Sequence, residues 1–173
     1  DAAAARARIS RATAYRYFPT KDDLLVAAHP ELTFTSLLPD SPPRDGRTRL
    51  DLVVTAFTKL ILETEPQQRA TLRASLEQPR PRLPLRRGRG IGWIAEALEP
   101  LEPRLGASGV QRLARAIRSA IGIEALVWLT DIGGLTREEA AATMRWSALS
   151  MLESALREEP PLPGRRNQSS QEN

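Results

Sequence analysis

The side chains best suited to recognition chemistry are concentrated near the start of the chain, where residues 9–21 read Ile-Ser-Arg-Ala-Thr-Ala-Tyr-Arg-Tyr-Phe-Pro-Thr-Lys. This segment supplies arginine, lysine, tyrosine and hydroxyl side chains in close succession. All of these donate hydrogen bonds to phosphate oxygens, and arginine also donates two to the edge of a guanine base. The segment has no nucleophile paired with a base, so it favours recognition of a nucleic acid over the breaking of bonds.

Short helices on either side of a tight turn are expected to position these side chains. Residues 2–7 are rich in alanine and favour a helix, and Ser10 is a preferred N-cap for a second helix that ends before Pro19. Thr20 is expected to cap a third helix. Two short helices joined by a tight turn form a helix-turn-helix, in which the second helix enters the major groove of DNA.

The predicted second helix gives each polar residue a role. Arg11 and Thr13 lie at its N-terminal end, over the base edges, and the small Ala14 allows a close approach. The tyrosines, Arg16 and Lys21 are expected to bind phosphates and to fix the register of the helix on the duplex. The predicted DNA-binding residues are Ser10, Arg11, Thr13, Ala14, Tyr15, Arg16, Tyr17 and Lys21.

The same segment resembles the DNA-binding signature of the TetR/AcrR family of bacterial regulators, Ser-x-x-Thr-x-Tyr-x-Tyr/His-Phe-x-Ser/Thr-Lys. The matching positions are Ser10, Thr13, Tyr15, Tyr17, Phe18, Thr20 and Lys21. Two positions depart from the pattern, since Arg8 stands where the turn usually has glycine and Ala14 where a larger aliphatic residue is common. The first helix of the family's DNA-binding domain is expected to be missing from this chain.

Composition narrows the class of protein further. The chain has 173 residues, a formal net charge of +4, 41% hydrophobic residues, no cysteine and one histidine. These counts argue against a disulfide scaffold, a thiolate zinc site, a metal cluster and a catalytic triad. No apolar run approaches the roughly 20 residues of a membrane-spanning helix. We therefore expect a cytoplasmic protein that is not an enzyme and needs neither cofactor nor metal, with no membrane partner.

Periodicity beyond the first segment predicts an all-α fold without strands. The expected domains are a partial helix-turn-helix at residues 1–29, a helical effector-binding and dimerisation domain at residues 30–159, and a disordered tail at residues 160–173. Two late helices are predicted, over residues 110–131 and 136–158, opened by capping boxes at Ser108–Gln111 and Thr136–Glu139 and separated by Gly133–Gly134.

The resemblance implies that the helical remainder dimerises and holds an effector. Apolar stripes on the last two helices predict a four-helix dimer interface. Its predicted members are Leu113, Ile117, Ala141, Met144, Ala148, Met151, Leu152 and Ala155. The alternative is that the same stripes cover the chain's own core.

A ligand site is predicted from three aromatic residues and one carboxylate. Glu124 lies on the apolar stripe of its helix, so it must be paired or face a cavity. It contacts either a ligand or an arginine such as Arg73 or Arg145. The aromatic residues, which are placed either to line a pocket or to fill the core, are Phe57, Trp93 and Trp128.

These features predict a transcriptional regulator, and more specifically a repressor. It would bind a palindromic double-stranded DNA operator as a homodimer and be released by a small-molecule effector. One alternative is a regulator of the same fold that responds to a protein partner or to no effector. A third hypothesis, an all-α enzyme, has no recognisable catalytic residues to support it.

Overall fold

The computed structural model describes residues 5–20, 24, 34–77 and 89–157. Within these ranges every regular element is helical, which confirms the all-α prediction. The domain boundary expected at residues 29–30 and the tail at residues 160–173 lie outside the described residues. No helix in the described ranges has both the length and the apolar character needed to cross a bilayer.

Seven α-helices are described. They are α1 (Arg11–Tyr17), α2 (Gly46–Glu63), α3 (Glu65–Glu77), α4 (Arg89–Leu98), α5 (Glu102–Ala120), α6 (Ile123–Val127) and α7 (Arg137–Arg157). A 3₁₀ turn, Glu99–Leu101, joins α4 to α5, and a π-helix, Trp128–Ile132, continues α6.

One apolar core lies between α2, α4, α5 and α7. Residues of α2 recur at the spacing of one helix face and are buried, namely Leu50, Val53, Val54, Phe57 and Ile61. Asp45 caps the same helix, because its carboxylate accepts the Thr48 N–H at 2.8 Å.

Local chemistry explains where two further helices begin. Pro66 is the second residue of α3. A backbone N–H in the first turn has no carbonyl acceptor within the helix, so proline costs no hydrogen bond there. Before α7, the Glu139 N–H donates to Thr136 Oγ1 at 3.2 Å, and the Thr136 N–H donates to Glu139 Oε2 at 2.8 Å. This reciprocal pair is the predicted capping box, and the bonds from Thr136 hold the pKa of Glu139 below its ordinary value.

The capping box predicted at Ser108 and Gln111 is wrong. The helix α5 begins earlier, at Glu102, and bends at Gly106, where φ is +69°. Ser108 lies inside the helix, and its hydroxyl accepts a hydrogen bond from Arg112 Nη1 at 3.2 Å. A left-handed glycine, rather than a side-chain cap, thus sets where the regular part of α5 starts.

The prediction of one continuous helix over residues 110–131 is also wrong. The helix α5 ends at Ala120, Ile121 is extended, and Gly122 has a φ of +145°. The Arg118 side chain extends over this break, and its Nη1 donates to the Ile121 carbonyl at 2.9 Å. An added Cβ at Gly122 would lie 2.1 Å from the same nitrogen, so the break depends on glycine for its conformation, and a side chain there would also displace the Arg118 guanidinium.

The predicted dimer stripe belongs largely to the chain's own core, because α5 and α7 pack against each other. Six of its eight members are buried within the single chain: Leu113, Ile117, Met144, Ala148, Leu152 and Ala155. Ala141 and Met151 are partly exposed. The structure therefore supports the alternative, since a helical period marks burial without saying which chain provides it.

Gly122→Ala is expected to destabilise the chain by about 2 kcal/mol, because the new Cβ meets Arg118 and the backbone is held in a glycine-only region. Gly92→Ala is the matched control, since a Cβ there meets nothing within 4 Å inside α4. That control should be neutral or gain about 0.5–1 kcal/mol from helix propensity. Urea unfolding monitored by circular dichroism measures both changes, and equal effects would contradict the role of Gly122.

Candidate DNA-binding segment and effector region

The turn before α1 carries an unusual backbone conformation. Ala5 and Arg6 are helical, and the Arg8 N–H donates to the Ala5 carbonyl at 3.1 Å as the chain turns. Arg8 has a φ of +54° and is the one non-glycine residue with a positive φ in the described part of the chain. The turn therefore keeps a left-handed conformation without the glycine that usually supplies it, at a cost of about 1 kcal/mol or more.

The helix α1 is delimited at both ends as the sequence predicts. Ser10 is extended, and its hydroxyl oxygen accepts the Thr13 N–H at 3.0 Å. The Ser10 and Thr13 hydroxyl oxygens are also 2.8 Å apart, so Thr13 is hydrogen-bonded within the free protein. At the other end the Phe18 N–H donates to the Ala14 carbonyl at 2.9 Å, immediately before Pro19.

The side chains of α1 divide into an outward and an inward set. Tyr15 and Tyr17 are 53% and 65% exposed, and the Arg16 guanidinium carbon lies 5.3 Å from the centre of the Tyr17 ring. Thr13 and Ala14 are half-buried. The segment thus presents phenol and guanidinium donors to the surroundings. The side chain of Arg11 and the whole of Lys21 lie outside what the structure describes.

Residues 1–28 match the family model for bacterial regulatory proteins of the tetR family. Residues 1–28 thus carry a TetR-type helix-turn-helix, and this match supports a DNA-binding transcriptional regulator of the same type. No curated protein and no solved structure matches the chain.

The residues after this TetR-type segment attach to α4 through three side chains. Trp93 Nε1 donates to the Thr35 carbonyl at 3.0 Å, and the Ser36 hydroxyl donates to the Glu96 carboxylate at 2.9 Å. Arg89 donates to the Phe34 carbonyl at 3.1 Å. The connection that follows the helix-turn-helix is therefore fixed to a helix of the core from residue 34 onwards.

The four predicted ligand residues do not share one pocket. Phe57 and Trp93 are both buried and meet edge to face, with ring centres 5.7 Å apart, so they form part of the core. Trp128 is 58% exposed on the outside of the chain, and Glu124 is exposed as well. The aromatic pocket expected from Phe57, Trp93 and Trp128 together is therefore not formed.

The ion pair predicted for Glu124 has a different arginine as its partner. Arg118 Nη1 lies 3.4 Å from Glu124 Oε2, and its guanidinium carbon lies 5.4 Å from the centre of the Phe57 ring. Arg145, one of the predicted partners, instead binds both carboxylate oxygens of Asp51 at 2.5 and 2.7 Å. The break between α5 and α6 brings Arg118 close to Glu124, and a continuous helix would not.

A group of four charged residues joins α3, the π-helix and α7, and we call it the charged clasp: Glu65, Arg69, Asp131 and Arg137. Glu65 is buried and accepts Arg69 Nε and Arg137 Nε, both at 2.7 Å. Arg69 also binds both oxygens of Asp131, at 2.7 and 2.8 Å. Of these contacts the sequence signals only the i,i+4 spacing of Glu65 and Arg69.

The clasp keeps both of its carboxylates ionised. Bonds from Arg137 and then Arg69 hold the pKa of Glu65 below its ordinary value, although burial acts in the opposite direction. Arg69 and then Thr130 lower the pKa of Asp131 to about 2. The described residues contain no cluster of three acidic or histidine side chains that would hold a metal.

Asp131→Asn is expected to destabilise the chain at pH 7, because it removes the charge that pairs with Arg69. The pKa of Asp131 is lower in the folded chain than in the unfolded one, so its contribution is complete above about pH 4 and is lost as the pH falls towards about 2. Urea unfolding from pH 7 to pH 2.5 should therefore make the two proteins converge. Asp40→Asn, a change to an exposed linker carboxylate, is the control; a gap between Asp131→Asn and wild type that stays constant over this range contradicts the assignment.

Proposed function

We propose that this chain is a cytoplasmic transcriptional repressor that binds a palindromic operator as a homodimer and is released by a small-molecule effector. The observation that carries the proposal is the match of residues 1–28 to the tetR-family model. Helix-turn-helix proteins bind two half-sites about one turn of DNA apart, which requires two copies of the DNA-binding segment. An effector that binds the DNA-free arrangement better than the DNA-bound one shifts the population towards release.

The proposed contacts follow from the position of each residue on α1. Arg11 is the first residue of the helix, so it is assigned to a guanine edge, and Thr13 with Ala14 is assigned to the neighbouring base. The exposed Tyr15 and Tyr17 are assigned to phosphates. Ser10, Arg16 and Lys21 complete the proposed DNA-binding set as phosphate and helix-end contacts.

Arg11→Ala is expected to lower affinity for the chain's own promoter-region DNA by about 1–3 kcal/mol while changing affinity for random duplex much less. Tyr17→Phe is expected to weaken both duplexes alike, because a phosphate contact carries no base information. Mobility-shift titrations at two salt concentrations measure both effects.

The control for this experiment is Arg115→Gln. It neutralises an exposed arginine on α5, far along the chain from the DNA-binding segment. It should leave the preference for promoter DNA unchanged. Two results would contradict the proposal: a wild-type chain with no salt-sensitive preference for promoter DNA, or identical losses from Arg11→Ala and Tyr17→Phe.

The proposed dimer uses an outer face, because the apolar stripe first assigned to the interface is occupied by the core. Trp128 and Ile132 follow each other at four-residue spacing on the α6 and π-helical segment, and Ile132 is 72% exposed. On α7, Trp146 is 69% exposed and follows Ala142 by one turn. Aromatic residues are enriched in subunit interfaces, and exposed apolar patches mark surfaces that bind a partner. We propose a second copy of this chain as the occupant.

Trp146→Glu is expected to weaken self-association by at least about tenfold, because tryptophans at the centre of an interface often contribute 2 kcal/mol or more. Trp146→Phe should retain most of the association. Leu76→Glu, which changes an equally exposed apolar residue on α3, is the control and should leave the molar mass of the dimer unchanged. Sedimentation equilibrium measures the three variants, and a monomeric wild type or an unaffected Trp146→Glu dimer would refute the interface.

One observation favours the alternative of a regulator that responds to a protein partner or to no effector. Phe57 and Trp93, two of the predicted ligand residues, are buried and pack directly against each other, so they form part of the core. An effector for this chain would then enter from the surface. Titration of the purified chain with a metabolite library, followed by thermal unfolding, separates the two versions.

A further inference from the structure

The helix α3 buries an unusual face. Its buried residues, Glu65, Gln68 and Thr71, are all polar, whereas each neighbouring core helix buries leucine, isoleucine, valine or tryptophan. The apolar residues of α3 lie to one side, with Leu72 half-buried and Leu76 77% exposed. The charge pairs of Glu65 and Arg69 and the packing of Leu72 on the core attach this helix, and its apolar edge at Leu76 is left uncovered by the described residues.

That uncovered edge forms one wall of a groove against α6, which we call the α3 groove. It is lined by Arg69, Leu72, Arg73, Leu76, Glu77 and Val127 and has a volume of about 550 Å³. Volumes of about 300–1,000 Å³ are typical of sites for small organic ligands. The leucines and Val127 supply an apolar floor, and the two arginines lie at its rim.

The charges of the groove favour an anionic ligand. Arg73 is exposed and makes no ion pair with any residue that the structure describes. Arg69 is only partly exposed and is held in place by its bonds to Glu65 and Asp131. The groove thus places two guanidiniums beside an apolar surface, one preorganised and one without an ion pair to the residues described, while Glu77 disfavours a second negative charge.

We propose that the α3 groove binds an organic monoanion with an apolar body, of the class of medium-chain carboxylates, and that it is the effector site of the regulator. The second part rests on the proposed function, whereas the first part is a property of the groove alone. The carboxylate pairs with Arg73 and Arg69, and the chain of the ligand lies on Leu72, Leu76 and Val127.

The contacts of Arg69 couple the groove to the proposed dimer interface. Arg69 lines the groove and also binds both carboxylate oxygens of Asp131 in the π-helix. A ligand carboxylate on Arg69 competes with Asp131, which is exposed and held chiefly by this arginine. The same π-helix carries Trp128 and Ile132, so release of Asp131 loosens the segment that the proposed interface uses.

The binding test uses the full-length chain without DNA and three probes of equal length: decanoate below its micellar concentration, decanol and decylammonium. Calorimetric titration is expected to give saturable binding of one decanoate per chain. Decanol should bind at least about tenfold more weakly, since it lacks the charge that pairs with the arginines, and decylammonium weaker still.

Variants assign the binding to the groove. Arg73→Gln is expected to weaken decanoate about fivefold to tenfold and to leave decanol unchanged, because only the charge pair is lost. Leu76→Asp should weaken both decanoate and decanol, and its position on the surface keeps the core intact. Arg115→Gln on α5 is the matched control and should change neither affinity; far-ultraviolet circular dichroism confirms that each variant is folded.

Equal affinity for decanoate and decanol, or decanoate binding untouched by both groove variants, overturns the proposal. The mobility shift of promoter DNA is measured separately, with and without decanoate. Decanoate binding without any DNA preference leaves the groove standing and refutes the proposed function. DNA preference with decanoate binding that never changes it refutes the effector role of the groove and leaves DNA recognition intact.

Discussion

Taking a carboxylate out of water costs several kcal/mol unless charged partners replace the lost hydration, and the side chain of Glu65 is only 8% exposed. Two arginines, Arg69 and Arg137, meet this requirement from different helices. Their positions fix α3 against the π-helix and the start of α7, because each arginine binds a different oxygen of the buried carboxylate and the loss of either leaves that oxygen without its partner. The polar face of α3, its exposed apolar edge and the groove beside it all follow from that attachment.

Local chemistry made much of the fold predictable from the sequence. Ser10, Pro66 and the pair Thr136–Glu139 act within one helical turn, so their spacing alone identifies the helix ends that they set. The recognition segment was predictable for the same reason, as its residues are neighbours in the sequence. The clasp was not, because Arg69 and Asp131 are 62 residues apart and only the folded chain makes them neighbours.

Two differences between the sequence predictions and the structure of the helical body have one physical origin. Periodicity describes which face of a helix is apolar, but it reports neither the backbone torsion of a single residue nor the identity of the covering surface. Gly122 interrupts an otherwise continuous stripe through a φ of +145°. The stripe through Met144 and Leu152 looks like an interface and is filled by the chain's own core. Both outcomes depend on tertiary packing.

The π-helix constrains the number of residues that the chain can have between α6 and α7. Its Gly133 N–H donates to the Trp128 carbonyl, five residues back, so this turn holds one residue more than an α-helical turn. Deleting one residue before Asp131 would restore regular winding but rotate the side chains that follow it in this segment by about 100°. Asp131 would then face away from Arg69. Related chains that keep the clasp should therefore tolerate substitutions in this segment far more readily than insertions or deletions.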